Sequence, residues 1–102
     1  MIIRTVVYAP EAEVDLLRLY NEIADAASSQ VAMRYLNRVK AWLAGFSTAS
    51  ERGTRRDDIR PGLRTVGFER RITVAFTVSE DEVVIQRVLY GGQDWSEDLA
   101  GV

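Results

Sequence analysis

The alternation of apolar and polar side chains is clearest towards the C-terminal end of the chain. Between residues 71 and 78, one face of an extended segment carries Ile72, Val74, Phe76 and Val78. Residues 83–90 begin with β-branched side chains and contain a single charge, Arg87. Four polar residues, 79–82, connect the two segments. This pattern predicts an antiparallel hairpin that forms the centre of a sheet.

The N-terminal half predicts a strand followed by two helices. Residues 2–9 are mainly β-branched and aromatic and stop at Pro10, which suits the first turn of a helix. A broad apolar stripe at helical spacing follows as far as Ala27. Ser28 and Ser29 interrupt this stripe and offer an N-cap for a second helix. Its apolar positions are Ala32, Tyr35, Leu36, Val39, Leu43 and Phe46. So short a link predicts two antiparallel helices.

Residues 47–61 are polar and show no periodicity, which predicts a long loop that is either functional or partly mobile. Pro61 and Gly62 indicate a turn, and residues 63–68 then predict a short strand. The element order β-α-α-β-β-β indicates an α+β fold. We expect a helical hairpin packed on one face of a mainly antiparallel four-stranded sheet, with the opposite face uncovered.

Composition limits the classes of function. The 102 residues, of which 47% are hydrophobic, predict one domain over residues 1–102 that ends in an acidic tail at 92–102. Neither a signal peptide nor a membrane span is indicated, so the expected location is the cytoplasm. The chain has no cysteine and no histidine. Disulfides, thiolate catalysis, zinc sites and Ser-His-Asp chemistry are therefore excluded, and we expect no metal and no cofactor.

Arginine dominates the middle of the chain. Residues 51–71 contain seven arginines and four acidic residues, although the whole chain carries a net charge of −2. One interpretation is a surface that binds an anionic partner, either nucleic acid or an acidic protein segment. The other is a solvated loop whose charges pair among themselves.

Three strings in the chain resemble the ParE/RelE superfamily of bacterial toxins from toxin–antitoxin operons. The first opens the first predicted helix with Pro10, Ala12, Asp15 and Leu16. The second combines Gly53, Arg56, Asp58, Ile59, Arg60, Pro61, Gly62, Leu63 and Arg64. The third runs from Val83 to Tyr90 and is followed by Gly91. The resemblance covers nearly the whole chain and is closest to the ParE branch, whose members are often labelled plasmid stabilisation proteins.

Members similar to RelE cleave messenger RNA on the ribosome with lysines and arginines, sometimes assisted by a tyrosine. This chain departs from that pattern, because its sole lysine, Lys40, lies in a predicted helix and Gln93 stands where those nucleases carry a basic residue. Arg71 and Arg87 remain as phosphate ligands, but Tyr90, with an ordinary pKa near 10, is a poor general base. We therefore expect no enzyme and no catalytic residue, with a RelE-like RNase as the alternative.

Members similar to ParE inhibit DNA gyrase by binding and are neutralised by a ParD-like antitoxin. The resemblance implies the same target and partner here, and a homologue that binds an antitoxin without being toxic is a further alternative. The target-binding candidates are Arg56, Arg60, Arg64, Arg71, Arg87, Tyr90 and Trp95. The antitoxin-binding candidates are Val31, Tyr35, Trp42, Arg71 and Arg87.

Several of these residues have a purely structural alternative. Arg60 and Arg64 would pair with Asp57 or Asp58 inside the loop. Trp42 lies beside the core positions of its helix and is buried either by its own fold or by a partner. Two other apolar residues, Trp95 and Leu99, either pack on an open core or form an exposed interface anchor.

Overall fold

A computed structural model gives the fold of residues 2–91 and of Leu99. Strand β1 (Thr5–Tyr8) leads into helices α1 (Pro10–Ala26) and α2 (Ser29–Ala44), and a short 3₁₀ turn (Gly45–Ser47) follows. The remaining elements are strands: β2 (Thr54–Arg55), β3 (Leu63–Phe68), β4 (Ile72–Val78) and β5 (Glu82–Tyr90). Neither helix in this part of the chain has the length and apolarity of a membrane span.

The strands form one sheet in the order β1-β5-β4-β3-β2. β1 runs parallel to β5, and the other neighbours are antiparallel. The predicted α+β architecture, with its helical hairpin on a mainly antiparallel sheet, is confirmed. The prediction of four strands is wrong, because Thr54 and Arg55 pair with Thr65 and Arg64 inside the segment interpreted as a loop. Two residues are too few to show a strand period, so the sequence pattern cannot reveal this strand.

Local signals set the helix boundaries. Pro10 is the first residue of α1, and Glu11 and Glu13 lie in its first turn, near the positive end of the helix dipole. Ser28 caps α2, since its hydroxyl accepts a hydrogen bond from the Val31 N–H at 3.1 Å. The N-cap predicted from the Ser28–Ser29 pair is therefore confirmed.

The main core lies between the helices and the sheet face that carries Ile72, Val74 and Phe76, as the alternation predicts. Phe46, which follows α2, meets Phe76 edge to face with 5.0 Å between ring centroids. The expectation that the opposite sheet face is uncovered is wrong. It holds a second buried cluster, formed by Leu63, Ala75, Leu89 and Leu99, with Ile59 packed against it. Leu99 is only 2% exposed, which agrees with the packing alternative for this residue.

An extra residue in β5 sets which side chains of that strand face the helices. The register joins Phe76 to Ile85 and Ala75 to Arg87, so that Gln86 is the extra residue and stands opposite no residue of β4 in the backbone register. Because of this bulge, Ile85 and Val88 both belong to the helix-side cluster. The same register pairs Arg87 with Ala75, a residue of the second cluster.

Candidate functional site

A buried carboxylate ties the first helix to the last strand. Asp15 on α1 is 5% exposed. Its Oδ2 accepts hydrogen bonds from Arg87 Nε at 2.7 Å and from the Val88 N–H at 2.9 Å, and its Oδ1 accepts one from Arg87 Nη2 at 3.1 Å. β1 ends opposite Ile85, so this N–H lies beyond the parallel pairing, and the Asp15 carboxylate satisfies it. The arrangement fixes the Arg87 side chain, which is 18% exposed.

Asp15 is a residue whose role the sequence did not reveal. A signal was present, because Asp15 falls on the buried stripe of α1 between Ala12 and Leu19. A carboxylate in such a stripe requires a hydrogen-bonded cationic partner. The partner is 72 positions away, and no local pattern identifies it.

The loop between β2 and β3 is organised by its own carboxylates. Asp57 accepts a hydrogen bond from the Gly62 N–H at 2.8 Å, and this bond holds the pKa of Asp57 below its ordinary value, with help from Arg55. Asp58 accepts two bonds of 3.0 Å from Arg56, which are the main cause of its lowered pKa. The charges of this loop therefore pair largely among themselves, although through other arginines than the sequence suggested.

The other arginines of this region have different surroundings. Arg64, on β3, donates from Nη1 to the Arg52 carbonyl at 3.3 Å. The guanidinium of Arg52 lies over the rings of Phe46 and Trp42, 4.6 and 5.5 Å from their centroids. Arg60 is half-buried, and its backbone N–H bonds to the Arg56 carbonyl. Within the part of the chain that the structure describes, its side chain makes no ion pair. Of these arginines, Arg60 is thus the least engaged by the fold.

A second group of polar side chains surrounds the ring of Tyr35. We call it the Tyr35 cluster, and its members are Tyr35, Arg38, Glu69, Arg71 and Tyr90. Arg38 lies 5.0 Å above the Tyr35 ring and forms an ion pair with Glu69 at 2.5 Å. Burial raises the pKa of the Tyr35 hydroxyl, and the charge of Glu69 raises it further, whereas Arg71 and Arg38 lower it. Tyr90, opposite Ile72 on β4, is 42% exposed.

The target-binding candidates therefore do not form one patch. Arg56, Arg60 and Arg64 lie around the start of β3, whereas Arg71 and Tyr90 lie beyond its end. Four residue steps from Arg64 to Phe68 correspond to roughly 13 Å of strand. Arg87 is held by Asp15 and lines a small pocket together with Tyr90. Trp95 lies outside the described residues.

An apolar groove of about 690 Å³ is lined by residues of both helices and by Tyr8 of β1. Leu17 of α1 and Met33 of α2 line it and are 62% and 51% exposed. One charge of each sign, Glu13 and Lys40, also lines it. The remaining lining residues are Leu16, Tyr20 and Leu36. We call this the helix groove.

The antitoxin candidates of the second helix lie elsewhere than in the helix groove. Tyr35 is 7% exposed and belongs to the core. Trp42 is half-buried and packs on Phe68 and Phe46, with ring centroids 4.7 and 5.0 Å away, so its own fold supplies most of its contacts. Val31 is 39% exposed, one turn before Tyr35. Leu17 and Met33 are not among the binding candidates predicted from the sequence, because apolar residues in an amphipathic helix are normally assigned to the core.

No grouping of acidic side chains in residues 2–91 has the arrangement of a metal site. The surfaces described so far comprise a charged loop, a polar cluster around Tyr35 and an apolar groove.

Comparison with known proteins gives one family. Residues 6–95 match the model of the ParE toxin of type II toxin–antitoxin systems, parDE. Toxin ParE3 of Caulobacter vibrioides is 31% identical over 85 residues, which cover 83% of this chain and 84% of that protein. The solved structure of a chromosomal ParDE toxin–antitoxin system from P. aeruginosa has a chain with the same fold, with a TM-score of 0.78 and 19% identity over 90% of this chain and 100% of that one.

Proposed function

Since the chain belongs to the ParE toxin family of type II toxin–antitoxin systems, we propose that it inhibits DNA gyrase by binding and is neutralised by a ParD-like antitoxin. In this proposal the toxin performs no chemistry of its own. It stalls replication by stabilising the complex of gyrase with cleaved DNA.

The observation that carries the non-catalytic proposal is the pair between Asp15 and Arg87. A nuclease of the RelE kind needs a cation that is available to contact the phosphate and a group that accepts the 2′-hydroxyl proton. Here Arg87 is held by two hydrogen bonds to a buried carboxylate. The carboxylate itself accepts three bonds and is 5% exposed, so it is badly placed to act as a base.

The basic loop supports binding to an anionic target. Arg60 lies in, and Arg64 directly after, a segment that Asp57 and the 3.0 Å bonds of Asp58 hold in one conformation. A preorganised loop loses less conformational entropy on association than a mobile one. We therefore propose the loop as the main contact with gyrase, with Arg60 as its most available cation.

The helix groove supports neutralisation by a helical segment of the antitoxin. Exposed apolar side chains that line a groove are typical sites for an amphipathic helix. The groove also offers Glu13 and Lys40, which would pair with a cation and an acid of the incoming helix. An antitoxin bound there would cover Leu17 and Met33, two of the most exposed apolar residues among those described.

Controlled expression in a bacterial host tests this function. We expect growth arrest in which DNA synthesis, followed by labelled thymidine, stops before protein synthesis, followed by labelled methionine. Coexpression of the antitoxin encoded beside the toxin gene should restore growth. Early arrest of protein synthesis would support the RelE-like alternative, and unimpaired growth in cells that contain folded protein would support a non-toxic homologue.

A further inference from the structure

The hydroxyl of Tyr35 is a buried polar group that the described part of the chain leaves without a hydrogen bond. Tyr35 is only 7% exposed, and its hydroxyl oxygen has no hydrogen-bond partner among residues 2–91 and Leu99. Buried tyrosine hydroxyls usually find a partner, because an unpaired polar group in the interior is destabilising. A hydroxyl that is kept in this state needs an explanation other than stability.

The surroundings of this hydroxyl are those of a site for an anion. The guanidinium of Arg38 lies 5.0 Å above the same ring, and Arg71 is close enough to lower the pKa of the hydroxyl. The Arg71 side chain, on an exposed turn, has no hydrogen bond or ion pair to the other residues that the structure describes. Glu69 is the one acidic residue of the Tyr35 cluster, and it already pairs with Arg38.

We propose that the Tyr35 cluster is a second docking point for the antitoxin, where one carboxylate of the partner replaces Glu69 on Arg38 and accepts a hydrogen bond from the Tyr35 hydroxyl. The inference rests on the proposed function, because it takes the antitoxin as the partner. In the free toxin, Glu69 occupies Arg38 from the adjacent turn and does not satisfy the hydroxyl. The carboxylate of the partner satisfies both.

The relative strengths of the interactions favour this exchange. The Arg38–Glu69 pair is exposed, since its side chains are 57% and 42% accessible, and exposed ion pairs contribute little to stability. A buried hydroxyl that gains a charged acceptor gains far more. Arg71 then adds a second cation beside the bound carboxylate. The cluster therefore favours an acidic residue over an amide or an apolar one.

The Tyr35→Phe variant gives effects of opposite sign on folding and on binding. Removing an unsatisfied hydroxyl should leave the melting temperature of the free toxin unchanged or higher. The same change should weaken binding of the purified antitoxin about tenfold or more, because a hydrogen bond to a charged group is lost. Surface plasmon resonance on the intact toxin measures the affinity. An affinity equal to that of the wild type would overturn the proposal.

Two further variants test the exchange itself. Glu69→Gln removes the internal competitor, so antitoxin binding should become severalfold tighter; weaker binding would overturn the replacement of Glu69. Arg71→Gln should weaken binding severalfold, whereas Arg70→Gln, its neighbour on the same turn, should not. Equal effects of these two substitutions would show that only the overall positive charge of the turn matters for binding. That result would contradict a defined carboxylate site.

The result for the wild type separates this inference from the proposed function. If the wild-type toxin does not bind the antitoxin at all, the proposed partner is wrong and the cluster has no assigned ligand. If the wild type binds and Tyr35→Phe binds equally well, only the second docking point is wrong. If Tyr35→Phe loses binding to a short DNA duplex while its affinity for the antitoxin is unchanged, the ligand of the cluster is a phosphate and not a carboxylate of the antitoxin. That result would contradict the proposal.

Discussion

Arg87 in the last strand and Asp15 in the first helix are 72 positions apart and share two hydrogen bonds, of 2.7 and 3.1 Å. The Val88 N–H adds a third bond to the same carboxylate. These bonds attach α1 to the C-terminal half of β5. It also changes the choice of mutants, since Arg87→Glu places a carboxylate beside Asp15 and destabilises the fold. Loss of killing in that variant would not identify a binding surface.

Asp15→Ala should lower the free energy of unfolding by about 3 kcal/mol, the usual result when one partner of a buried ion pair is removed. Chemical denaturation measures this change. Arg18→Ala is the control. Arg18 is 63% exposed and its Nη1 lies as far as 3.8 Å from Asp15 Oδ1, so the loss of this weak pair should cost less than about 1 kcal/mol. Equal destabilisation by the two variants would show that the buried pair has no special role.

Gly53 approaches β3 so closely that no side chain fits. Its φ is +72°, and an added Cβ would lie 2.3 Å from the Thr65 carbonyl oxygen. Gly53→Ala should therefore destabilise the protein by more than about 1 kcal/mol and detach β2. Gly45→Ala is the control, since a Cβ there meets nothing within 4 Å and the φ is −65°. The melting temperature of Gly45→Ala should equal or exceed that of the wild type, and that of Gly53→Ala should be lower. A lower melting temperature for Gly45→Ala than for Gly53→Ala would contradict the close approach of Gly53 to β3.

The chemical shift of the Gly62 amide proton should follow the titration of the Asp57 carboxylate, which accepts its hydrogen bond. The pKa of Asp57 is below its ordinary value of 3.8, chiefly because of the hydrogen bond from Gly62. The stabilising contribution of the carboxylate is therefore complete above that value and is lost as the pH falls through the lower, folded value. The Gly62 amide proton shift in NMR spectra should have a midpoint below 3.8. A midpoint at or above 3.8 would show that the bond does not persist in solution.

Leu17→Lys and Met33→Lys should each weaken antitoxin binding at least tenfold, because a charge then enters the apolar helix groove. Both positions are more than half exposed, so folding should be unaffected. Val14→Lys provides the matched control, since Val14 is 54% exposed on the same helix and does not line the groove. If Val14→Lys weakens binding as much as Leu17→Lys, the groove is not the docking site.

Arg60→Glu and Arg71→Glu should separate the two ends of β3. We expect Arg60→Glu to reduce killing with antitoxin affinity retained, because the basic loop is proposed to contact the target. Arg71→Glu should keep killing and weaken antitoxin binding. Growth assays and affinity measurements on both variants check this division. The reverse pattern would exchange the proposed roles of the two surfaces.

The sequence was informative wherever a local signal decides the structure. Pro10 began the first helix, Ser28 capped the second, and the alternation around Val74 identified the sheet face that packs on the helices. The resemblance of the arginine and glycine string before β3 to known toxins led to the family. These features depend on neighbours within a few residues.

The features that the sequence did not reveal depend on distant partners. The bulge at Gln86 places Arg87, and only the pairing of β5 with β4 determines where it occurs. The two residues of β2 are a strand because Thr65 lies beside them. The helix groove is formed where side chains of α1, α2 and β1 meet, so that only the packing of these elements shows that Leu17 remains exposed. Such outcomes follow from tertiary packing, which periodicity does not encode.

The most direct test of a toxin that binds gyrase without chemistry is a supercoiling and cleavage assay with purified gyrase, DNA and this protein, beside a translation reaction in vitro. The account predicts inhibited supercoiling with trapped, cleaved DNA, while translation continues at the rate of the untreated reaction. Blocked translation with cut messenger RNA and unaffected gyrase would contradict it.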